Sequence, residues 1–587
     1  MFVRNLADRR SGKSLGFALI ALASSALPAC SEPPPKDGGA LPTTATATAT
    51  ASATAPRSTT ISLVGTNDLH GRVGALPLLA GYVENLRAAR AADGGVVLVD
   101  AGDMFQGTLE SNLGEGVAVV DAYDALGYAA AAIGNHEFDF GPVGPAATVT
   151  KPGDDPRGAL KAAAAHAKFP FLDANTLDAK TVAHVEWPNM PASTVVDVAG
   201  VRVGIIGVTT PETATTTIHA NVADLVFASP EKIIEAESAR LRKDGAALVV
   251  VTAHLGGKCA TFTGDVERDH CEPNAEVFRL AKALTPGTVD AIVAGHTHAG
   301  VAHVVGGVPI IESFSYGRAF GRIDFTLGGA PLHVVDRHVF APQDLCPGQE
   351  KPDYATCTAP AYEGRDVTRS AKISSALAPA IEAAKDKRAE LLGTELTATF
   401  DRSYDHESPL GNLFADLLRE ATPGADVGFM NGGGLRAELP AGALSFGALF
   451  EAFPFDNRVA TTKISGARLR ELFAAHFSRG AGILSVSGVQ VEARCEKGRV
   501  SVRISRPNGR AVSDKDQLTI AGSDFLFTGG DDFWGGGPAP EVAVQDELMR
   551  DALVRVIGKH RKIAPSDAFD PKRPRLDLPG PRPLRCP

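Results

Sequence analysis

Residues 61–70 read Ile61-Ser62-Leu63-Val64-Gly65-Thr66-Asn67-Asp68-Leu69-His70, an apolar run of strand length that ends in a carboxylate and an imidazole. Short, nearly continuous apolar runs are typical of strands buried on both faces. The pattern of apolar run and polar cluster recurs at four further places: residues 96–99 before Asp103, residues 131–133 before Asn135 and His136, residues 248–251 before His254, and residues 291–293 before His296 and His298. The recurrence predicts buried strands with chemically active side chains at their ends.

The segments between these runs have helical character, as in residues 78–92 and 230–243. Alternation of strand and helix predicts a layered α/β domain. Ligands of such folds collect beyond the carboxyl ends of the strands, where all five polar clusters lie. The sequence therefore predicts one site assembled from separate strand ends.

A length of 587 residues predicts more than one domain, because a single hydrophobic core stops growing well below that size. A charged, Ala-rich stretch from about Ser370 to Leu392 is predicted as one helix that ends at Gly393. We assign residues 366–393 to a connecting helix between a catalytic domain, residues 59–365, and a smaller α/β domain, residues 394–587.

The N-terminus is predicted to be a targeting segment. Basic residues precede an apolar run, residues 15–27, that is shorter than the ~20 residues of a membrane-spanning helix. The run ends in Leu27-Pro28-Ala29-Cys30, which resembles the lipobox of bacterial lipoproteins. Residues 1–29 are thus predicted to be a signal peptide and Cys30 a lipid anchor that holds an exported protein at a membrane, facing the periplasm or the cell exterior. Residues 30–58, rich in Ala, Thr and Pro, would form a disordered tether; plain secretion without an anchor is the alternative.

Charge and cysteine content narrow the partners and the compartment. Residues 1–29 carry four positive charges and one negative charge, so their removal changes the net charge from −10 to about −13, which is unsuited to polymeric nucleic acid. Seven cysteines less Cys30 leave six, an even number that suits an exported protein. Proximity suggests Cys259 with Cys271 and Cys346 with Cys357. Cys495 with Cys586 then follows by elimination only, since six cysteines allow 15 connectivities.

The strand-end residues are of metal-ligand type: Asp68, His70, Asp103, Asn135, His254, His296 and His298. Oxygen and imidazole donors suit Mn, Zn, Co, Fe or Mg. One zinc ion needs only about four ligands, so seven candidates predict two divalent ions that share a bridging carboxylate. Two such ions bring four positive charges and the two Asp residues return two negative ones. The remaining positive charge would attract a phosphate ester.

One competing motif fails on its spacing. His136-Glu137-Phe138-Asp139-Phe140 begins like the zinc-peptidase His-Glu-x-x-His but lacks its second His. Gly134 and Gly141 also bracket a loop, whereas that motif requires a helix.

The polar clusters resemble those of a known family. Asp68-Leu69-His70, Gly102-Asp103, Gly134-Asn135-His136-Glu137 and Gly295-His296-Thr297-His298 look like the calcineurin-type metallophosphoesterases. Asn135-His136-Glu137-Phe138-Asp139 is similar to the exported 5′-nucleotidases, which include UDP-sugar hydrolases and cyclic-nucleotide phosphodiesterases. The resemblance implies a layered α-β-β-α metallophosphoesterase domain followed by a smaller α/β substrate-recognition domain.

The same resemblance implies a division of roles. Asp68, His70 and His298 would hold one ion, and Asn135, His254 and His296 would hold the other, with Asp103 bridging them. His136 would stabilise the transition state or assist the leaving group, and Asp139 would orient its imidazole.

The second domain supplies the implied substrate contacts. Phe455 and Phe525 match an aromatic pair that stacks on a base, a contact worth about 1–3 kcal/mol. Asp531 matches a carboxylate that accepts from ribose hydroxyls. The glycine-rich turn of residues 431–436 contributes Asn431, Gly433 and Arg436, of which Asn431 and Arg436 match residues that bind the base and the anionic end of the substrate.

One departure from the family lies in residues 402–410, before Gly411-Asn412-Leu413. His406 or Tyr404 stands where an Arg is expected, and Arg402 is slightly displaced. The sequence therefore does not imply strict specificity for nucleoside 5′-monophosphates.

Taken with the resemblance, the sequence predicts a two-metal phosphohydrolase that releases inorganic phosphate from nucleoside 5′-phosphates or related extracellular nucleotides. A cyclic-nucleotide phosphodiesterase or a nucleotide-sugar pyrophosphatase is the nearest alternative, since it would use the same metals. A surface nucleotide-binding protein without turnover is the alternative from another class.

Overall fold

The computed structural model describes residues 58–264, 266–349, 352–480 and 482–587. The predicted signal peptide, the lipidation site at Cys30 and the tether up to residue 57 lie outside the described residues.

The first part of the described chain alternates strands and helices, as predicted. Its strands are β1 (Thr59–Thr66), β2 (Gly94–Asp100), β3 (Ala130–Ala132), β4 (Phe171–Leu172), β5 (Thr176–Asp178), β6 (Ser193–Val198), β7 (Val201–Thr209), β8 (Leu225–Phe227), β9 (Leu248–His254), β10 (Ala291–Ala294), β11 (Gly300–Val305), β12 (Val308–Ser313), β13 (Ala319–Gly328) and β14 (His333–Asp344). Its helices are α1 (Leu76–Arg90), α2 (Leu109–Asn112), α3 (Val117–Leu126), α4 (Gly158–His166), α5 (Thr213–Thr216), α6 (His219–Val222), α7 (Glu231–Lys243) and α8 (Glu276–Ala283). Short 3-10 turns occupy Val73–Ala75 and Asn135–Phe138.

Twelve of these strands form two six-stranded sheets that pack face to face, and β5 and β8 pair in a separate two-stranded sheet. The first sheet has the order β14-β13-β1-β2-β3-β4, and the second has the order β11-β12-β10-β9-β7-β6. Strands β1 to β4 run parallel, as do β7, β9, β10 and β12. The remaining strands of the two sheets, β13, β14, β11 and β6, pair antiparallel with their neighbours. Parallel neighbours end at the same edge of a sheet, so the polar clusters that follow them are brought together.

Three apolar layers hold the sheets and helices. Leu63 and Val99 of the first sheet meet Val250 and Val293 of the second in a core between the sheets. A second core packs α1, α3 and α4 on the outer face of the first sheet, and a third packs α7 and α8 on the outer face of the second. The continuous apolar runs are explained because these central strands are buried on both faces. The predicted α-β-β-α order of layers is confirmed.

The connecting helix is shorter than predicted. Helix α9 spans Ala371–Ala389, and β15 (Leu391–Leu396) begins two residues later, so Gly393 lies inside a strand and does not end the helix. Leu391 pairs with Ser445, and this tertiary strand pairing overrides the local helical propensity of the segment. Ile373 and Leu377 of α9 join the core of the first domain. The domain boundaries themselves stay predictions.

The second part of the chain is a smaller α/β unit. Its strands after β15 are β16 (Val427–Asn431), β17 (Gly442–Ser445), β18 (Arg458–Ser465), β19 (Leu484–Ser487), β20 (Gln490–Glu496), β21 (Arg499–Ser505), β22 (Gln517–Ser523), β23 (Ala543–Leu548), β24 (Lys562–Ile563) and β25 (Leu576–Asp577). Its helices are α10 (Pro409–Ala421), α11 (Phe446–Ala452), α12 (Gly466–Phe477), α13 (Asp524–Phe527), α14 (Met549–Ile557) and α15 (Pro565–Ala568). The main sheet has the order β19-β16-β22-β18-β23, with separate apolar cores that include α10 and α12.

Three disulfides cross-link the described chain: Cys259–Cys271, Cys346–Cys357 and Cys495–Cys586. The pairing predicted from proximity and elimination is confirmed. Within the described residues, no helix combines the length and apolar character needed to cross a bilayer.

Candidate metal centre and substrate cleft

The seven candidate ligands lie at the carboxyl ends of five strands from both sheets. Asp68 and His70 follow β1, Asp103 follows β2, and Asn135 follows β3. His254 is the last residue of β9, and His296 and His298 follow β10. The loops after β1 and β2 are joined by backbone hydrogen bonds from Asp68 N to Gly102 O and from His70 N to Asp103 O, each 2.9 Å. The edge of the sheet sandwich therefore forms one rigid cluster.

Five of these residues adopt left-handed backbone conformations that are uncommon outside glycine. The φ angles are 50° at Asp68, 49° at His70, 57° at Asp103, 82° at His296 and 57° at His298. Each such residue costs of order 1–3 kcal/mol and persists only where its surroundings enforce it. Their concentration at one edge of the sheets indicates that the backbone is strained where it directs these side chains toward one another.

The candidate ligands form two groups that share Asp103. In the first group, the ligand atoms of Asp68, His70, Asp103 and His298 lie within 4.8 Å of one another. In the second group, the same holds for Asp103, His254 and His296. The Oδ1 atom of Asn135 lies 3.0 Å from His254 Nε2, which brings the seventh candidate to the second group. The structure thus places all seven residues together and in the predicted arrangement, while their roles as ligands stay a prediction.

The charges of the cluster fit a pair of cations. Burial lowers the pKa of His70 well below its ordinary value, and the neighbouring His298, with Nε2 atoms 2.9 Å apart, lowers it further. Burial would also lower the pKa of His254, but the carboxylates of Asp103 and Asp68 and the carbonyl of Ala101 together raise that pKa to about 10. The buried carboxylates of Asp68 and Asp103, together with the imidazoles beside them, supply the oxygen and nitrogen donors that divalent metals prefer, and a bound metal ion would take the place of the proton on His254. The chemistry of these residues therefore fits two divalent ions.

Hydrogen bonds behind the cluster fix which ring nitrogen of His70 and of His254 faces it. His70 Nδ1 lies 2.8 Å from Gln106 O, and His254 Nδ1 lies 2.8 Å from Ala101 O. Each Nδ1–H can donate to its carbonyl, which leaves Nε2 free to bind a metal. The Asn135 amide donates to Thr216 O at 3.1 Å, so its oxygen faces inward.

Glu137 and Asn67 support the site, and the sequence interpretation gave neither a role. The buried Glu137 carboxylate accepts backbone N–H groups of Gly134, Asp103 and Met104 at 2.7–2.8 Å, which ties the loops after β2 and β3 together. Burial raises the pKa of Glu137 to about 8, and the nearby charge of Asp103 adds to this. Asn67 donates from Nδ2 to Asp68 at 2.6 Å. The only sequence signal for these two residues was their position, since Glu137 is the last residue of the motif Gly134-Asn135-His136-Glu137 and Asn67 directly precedes Asp68.

His136 stands at the edge of the cluster with a relay behind it. Its Nδ1 lies 2.6 Å from Asp139 Oδ2, and Thr217 Oγ1 donates to Asp139 Oδ1 at 2.8 Å. Burial would lower the pKa of His136, but the carboxylates of Asp139 and Asp103 outweigh burial and raise it. This arrangement presents His136 Nε2 to the cleft in a fixed orientation.

Thr217→Val is expected to lower kcat by roughly tenfold with little change in KM, because a hydrogen bond to a charged group contributes about 1.5–3 kcal/mol. Thr217 is 1% exposed, so water cannot replace the lost donor. Thr217→Ser keeps the hydroxyl and should restore kcat. Thr213→Val is the matched control, since Thr213 is equally buried in the same segment but donates to Thr210 O. Equal losses in the Thr217→Val and Thr213→Val variants, measured by steady-state kinetics, would rule out the relay.

A cleft of about 680 Å³ lies between the metal-ligand cluster and the second domain. Its first wall includes Asp103, Asn135, His136, His296 and His298. All six predicted substrate contacts line the opposite side: Asn431, Gly433, Arg436, Phe455, Phe525 and Asp531. The volume is within the usual range for a small-molecule site.

The second-domain side chains form specific contacts in the cleft. Arg436 Nη2 lies 2.7 Å from His136 Nε2, and its guanidinium stacks 5.2 Å from the Phe455 ring. Asn431 Nδ2 donates to Asp531 Oδ2 at 2.8 Å. A side chain at Gly530 would lie 2.6 Å from the Phe525 ring, so glycine is required there for the ring to take its place. The arrangement joins a cation, a carboxylate and two aromatic rings to the metal-ligand cluster.

Residues 402–410, which depart from the family pattern, contribute to the cleft wall. Arg402 and Tyr404 both line the cleft, and Arg402 donates to Leu435 O at 3.0 Å. His406 instead contacts Ser403 Oγ and is exposed. Of the residues proposed for the missing Arg position, Tyr404 therefore lines the cleft and His406 does not.

Ion pairs tie the two domains together beside the cleft. Arg72 lies 2.7 Å from Glu451, and Arg388 of α9 contacts both Glu451 and Glu110. With the Arg436–His136 contact, this network holds both walls of the cleft in place.

Two family models match the chain. The model described as calcineurin-like phosphoesterase covers residues 61–300, and the model described as 5′-nucleotidase, C-terminal domain covers residues 387–535. The endonuclease YhcR of Bacillus subtilis is 27% identical over 475 residues, which is 80% of this chain and 35% of that protein. Protein UshA of Yersinia enterocolitica is 25% identical, over 87% of this chain and 93% of its own length.

A solved structure shares the fold along nearly the whole chain. The 5′-nucleotidase precursor of Thermus thermophilus superposes with a TM-score of 0.68 at 22% identity, covering 88% of this chain and 99% of that one. The two-domain architecture is therefore shared with a protein of that description.

Proposed function

From the premise that this chain is a calcineurin-like metallophosphoesterase with a 5′-nucleotidase C-terminal domain, we propose that it releases inorganic phosphate from nucleoside 5′-phosphates or related extracellular nucleotides. The observation that supports the proposal is one cleft lined both by the candidate metal ligands and by Phe455, Phe525 and Asp531. A nucleotide presents a phosphate, a ribose and a base, and these are the three groups that the two walls can bind.

The two divalent ions would be held by Asp68, His70 and His298 on one side, by Asn135, His254 and His296 on the other, and by Asp103 between them. When bound, they would supply Lewis-acid activation of the phosphoryl group and of the attacking water. Arg436 would pair with the anionic end of the substrate, because its guanidinium already lies at the cluster beside His136.

His136 would donate a hydrogen bond from Nε2 toward the phosphoryl oxygens or the leaving oxygen. Asp139 would hold the proton at Nδ1 and keep the ring in this orientation. Asp531 would accept from ribose hydroxyls, while Phe455 and Phe525 would stack on the base.

We also propose that the protein acts outside the cytoplasm. Three disulfides among the described residues support this, because such bonds form and persist in oxidising compartments. A lipid anchor at Cys30 belongs to the same proposal, and mass spectrometry of the mature N-terminus would test it.

The proposed activity is tested by phosphate release from AMP, a cyclic nucleotide, a UDP-sugar and an aryl phosphate. The protein is first stripped of metal, and Mn, Zn, Mg or Co is then added back. We expect metal-dependent release with AMP preferred. Release from the cyclic nucleotide or the UDP-sugar but not from AMP would move the substrate to the nearest alternative. Nucleotide affinity that survives chelation without any turnover would indicate a binding protein.

Phe455→Ala and Phe525→Ala are each expected to lower kcat/KM for AMP by roughly five- to 150-fold. This range corresponds to the loss of about 1–3 kcal/mol of base stacking. A small aryl phosphate should lose far less, because it reaches the metal cluster without a base to stack. Phe→Leu variants at the same positions keep most of the packing volume and control for collapse of the cleft wall. Equal losses on AMP and on the aryl phosphate would remove the stacking role.

A further inference from the structure

A cross-linked loop forms part of the cleft wall. Residues 255–275 connect β9, which ends at the candidate ligand His254, to α8, and their described residues contain no helix or strand. Gly256, Lys258, Glu272 and Asn274 of this loop line the cleft. The Cys259–Cys271 disulfide closes the loop on itself. Reduction of this disulfide would therefore affect a segment that lines the cleft.

A buried imidazole faces both sulfurs of this disulfide. His303 of β11 is 1% exposed, and its Nδ1 lies 3.5 Å from Cys259 Sγ. Its Nε2 lies 3.9 Å from Cys271 Sγ. The two sulfurs and a ring nitrogen of His303 lie within 4.8 Å of one another. These distances bring two sulfurs and one nitrogen within reach of a single small cation.

A carboxylate behind His303 sets the orientation of the ring. Asp269 Oδ2 lies 2.7 Å from His303 Nε2, and Asp269 also accepts from the Thr261 hydroxyl and from the hydroxyl and backbone N–H of Thr263. The held carboxylate keeps the proton on Nε2, so Nδ1 is an acceptor that lies 3.5 Å from Cys259 Sγ. The backbone N–H of Ala302 donates to the same Nδ1 at 3.2 Å, and a metal ion bound there would replace that contact. In zinc sites, a His ligand is commonly oriented by a carboxylate that accepts from one ring nitrogen while the other nitrogen binds the metal. Asp269 and His303 have this arrangement, with the second nitrogen on the side of Cys259.

We propose that the Cys259–Cys271 disulfide is exchangeable for a metal, and that the reduced loop is a zinc site formed by Cys259, Cys271 and His303. A dithiol reductant attacks one sulfur, breaks the S–S bond and leaves as its own cyclic disulfide, so that two electrons and two protons pass to the protein. The two thiols then lose their protons as Zn²⁺ binds both sulfurs and His303 Nδ1. Zinc prefers four ligands, and a water molecule would complete the set.

The exchange would require the loop that carries the two cysteines to adjust. Tetrahedral zinc with Zn–S bonds of about 2.3 Å separates two sulfurs by roughly 3.8 Å, so the thiols must move apart by about 2 Å. Both cysteines lie in the irregular loop, whereas His303 sits on a strand, so the loop is the part that adjusts. Disulfide and metal would each tie Cys259 to Cys271, and the cleft wall would stay tethered in both redox states.

The Cys346–Cys357 pair provides an internal comparison. It closes a loop of similar length, with a sequence separation of 11 against 12, and both its cysteines are buried. A guanidinium faces this pair, since Arg369 Nη2 lies 3.7 Å from Cys357 Sγ. A fixed cation repels a metal ion, so this pair should bind none after reduction.

The test reduces the full chain with a phosphine, which does not compete for the metal as a dithiol would, and then adds Zn²⁺ or Co²⁺. We expect one more cobalt ion per chain than the oxidised protein binds, with thiolate-to-cobalt charge-transfer absorption. The catalytic cluster offers only oxygen and nitrogen ligands and cannot give this absorption. Zinc should protect Cys259 and Cys271 from alkylation, read peptide by peptide by mass spectrometry, and leave Cys346 and Cys357 reactive. Equal protection of both pairs, or protection of neither, overturns the proposal.

Substitutions separate the ligand from its support. His303→Ala should abolish the charge-transfer absorption, and Asp269→Asn should weaken cobalt binding by about 10–100-fold. Cys346→Ser with Cys357→Ser should leave both the absorption and the extra ion unchanged. The proposal would also be overturned if the His303→Ala variant kept the absorption. Loss of the absorption in the Cys346→Ser, Cys357→Ser variant would overturn it as well. Failure of these tests leaves the proposed phosphatase activity untouched, because none of the three ligands belongs to the catalytic cluster.

Discussion

Asp103→Asn is expected to lower kcat/KM by roughly 10³-fold or more on every phosphate ester tested. Asp103 is the one residue that both ligand groups share, so the substitution removes a negative charge from two metal positions at once. Metal ions contribute several kcal/mol of transition-state stabilisation, and each 1.36 kcal/mol corresponds to a factor of ten. The measurement is steady-state kinetics on AMP and an aryl phosphate, together with metal content by elemental analysis.

The same substitution at Asp173 is the matched control. Asp173 is buried and accepts backbone N–H groups of Asn175 and Thr176 but belongs to neither ligand group. Asp173→Asn should keep both metal content and activity. Near-normal turnover by Asp103→Asn with both ions retained would contradict the bridging role.

His136→Asn is expected to lower kcat by about 10²–10⁴-fold while leaving the metal content unchanged, because a positioned proton donor contributes that much to the rate. Substrates with a poor leaving group should suffer most if His136 assists the departing oxygen. An equal loss on AMP and on an aryl phosphate would instead assign His136 to the phosphoryl oxygens. Comparison of kcat across leaving groups of different acidity measures the difference.

His476→Asn tests whether loss of any buried imidazole would have the same effect. His476 is buried in the second domain and faces Arg582 at 3.0 Å, much as His136 faces Arg436, but it does not line the cleft. Its substitution should leave kcat unchanged. Activity of His136→Asn close to that of the unmodified protein would remove His136 from the mechanism.

Much of the catalytic domain could be predicted because its strands are buried on both faces. Such strands carry continuous apolar runs, and a run that stops abruptly at Asp68, Asp103 or His254 marks the strand end directly. The helix end was misjudged at Gly393, because the local stop signal was weaker than the pairing of Leu391 with Ser445. Local sequence contains no record of such a distant partner.

The supporting contacts of the site were less accessible to prediction. Thr217 lies 78 residues from Asp139, in a short segment of threonines with no motif of its own. Arg436 lies 300 residues from His136, and only the docking of the two domains brings them together. Likewise, the choice of Tyr404 over His406 as the residue that faces the cleft depends on how the loop packs.

The sequence by itself determined the α/β layering, the chemical type of the metal site and the residues available to build it, because periodicity and residue type are local properties of the chain. The tertiary structure alone decided the left-handed conformations at Asp68 and His298, the orientation of each imidazole and the closure of the cleft by the second domain. These depend on contacts between residues far apart in the chain, whose geometry is set by packing and hydrogen bonding only after folding.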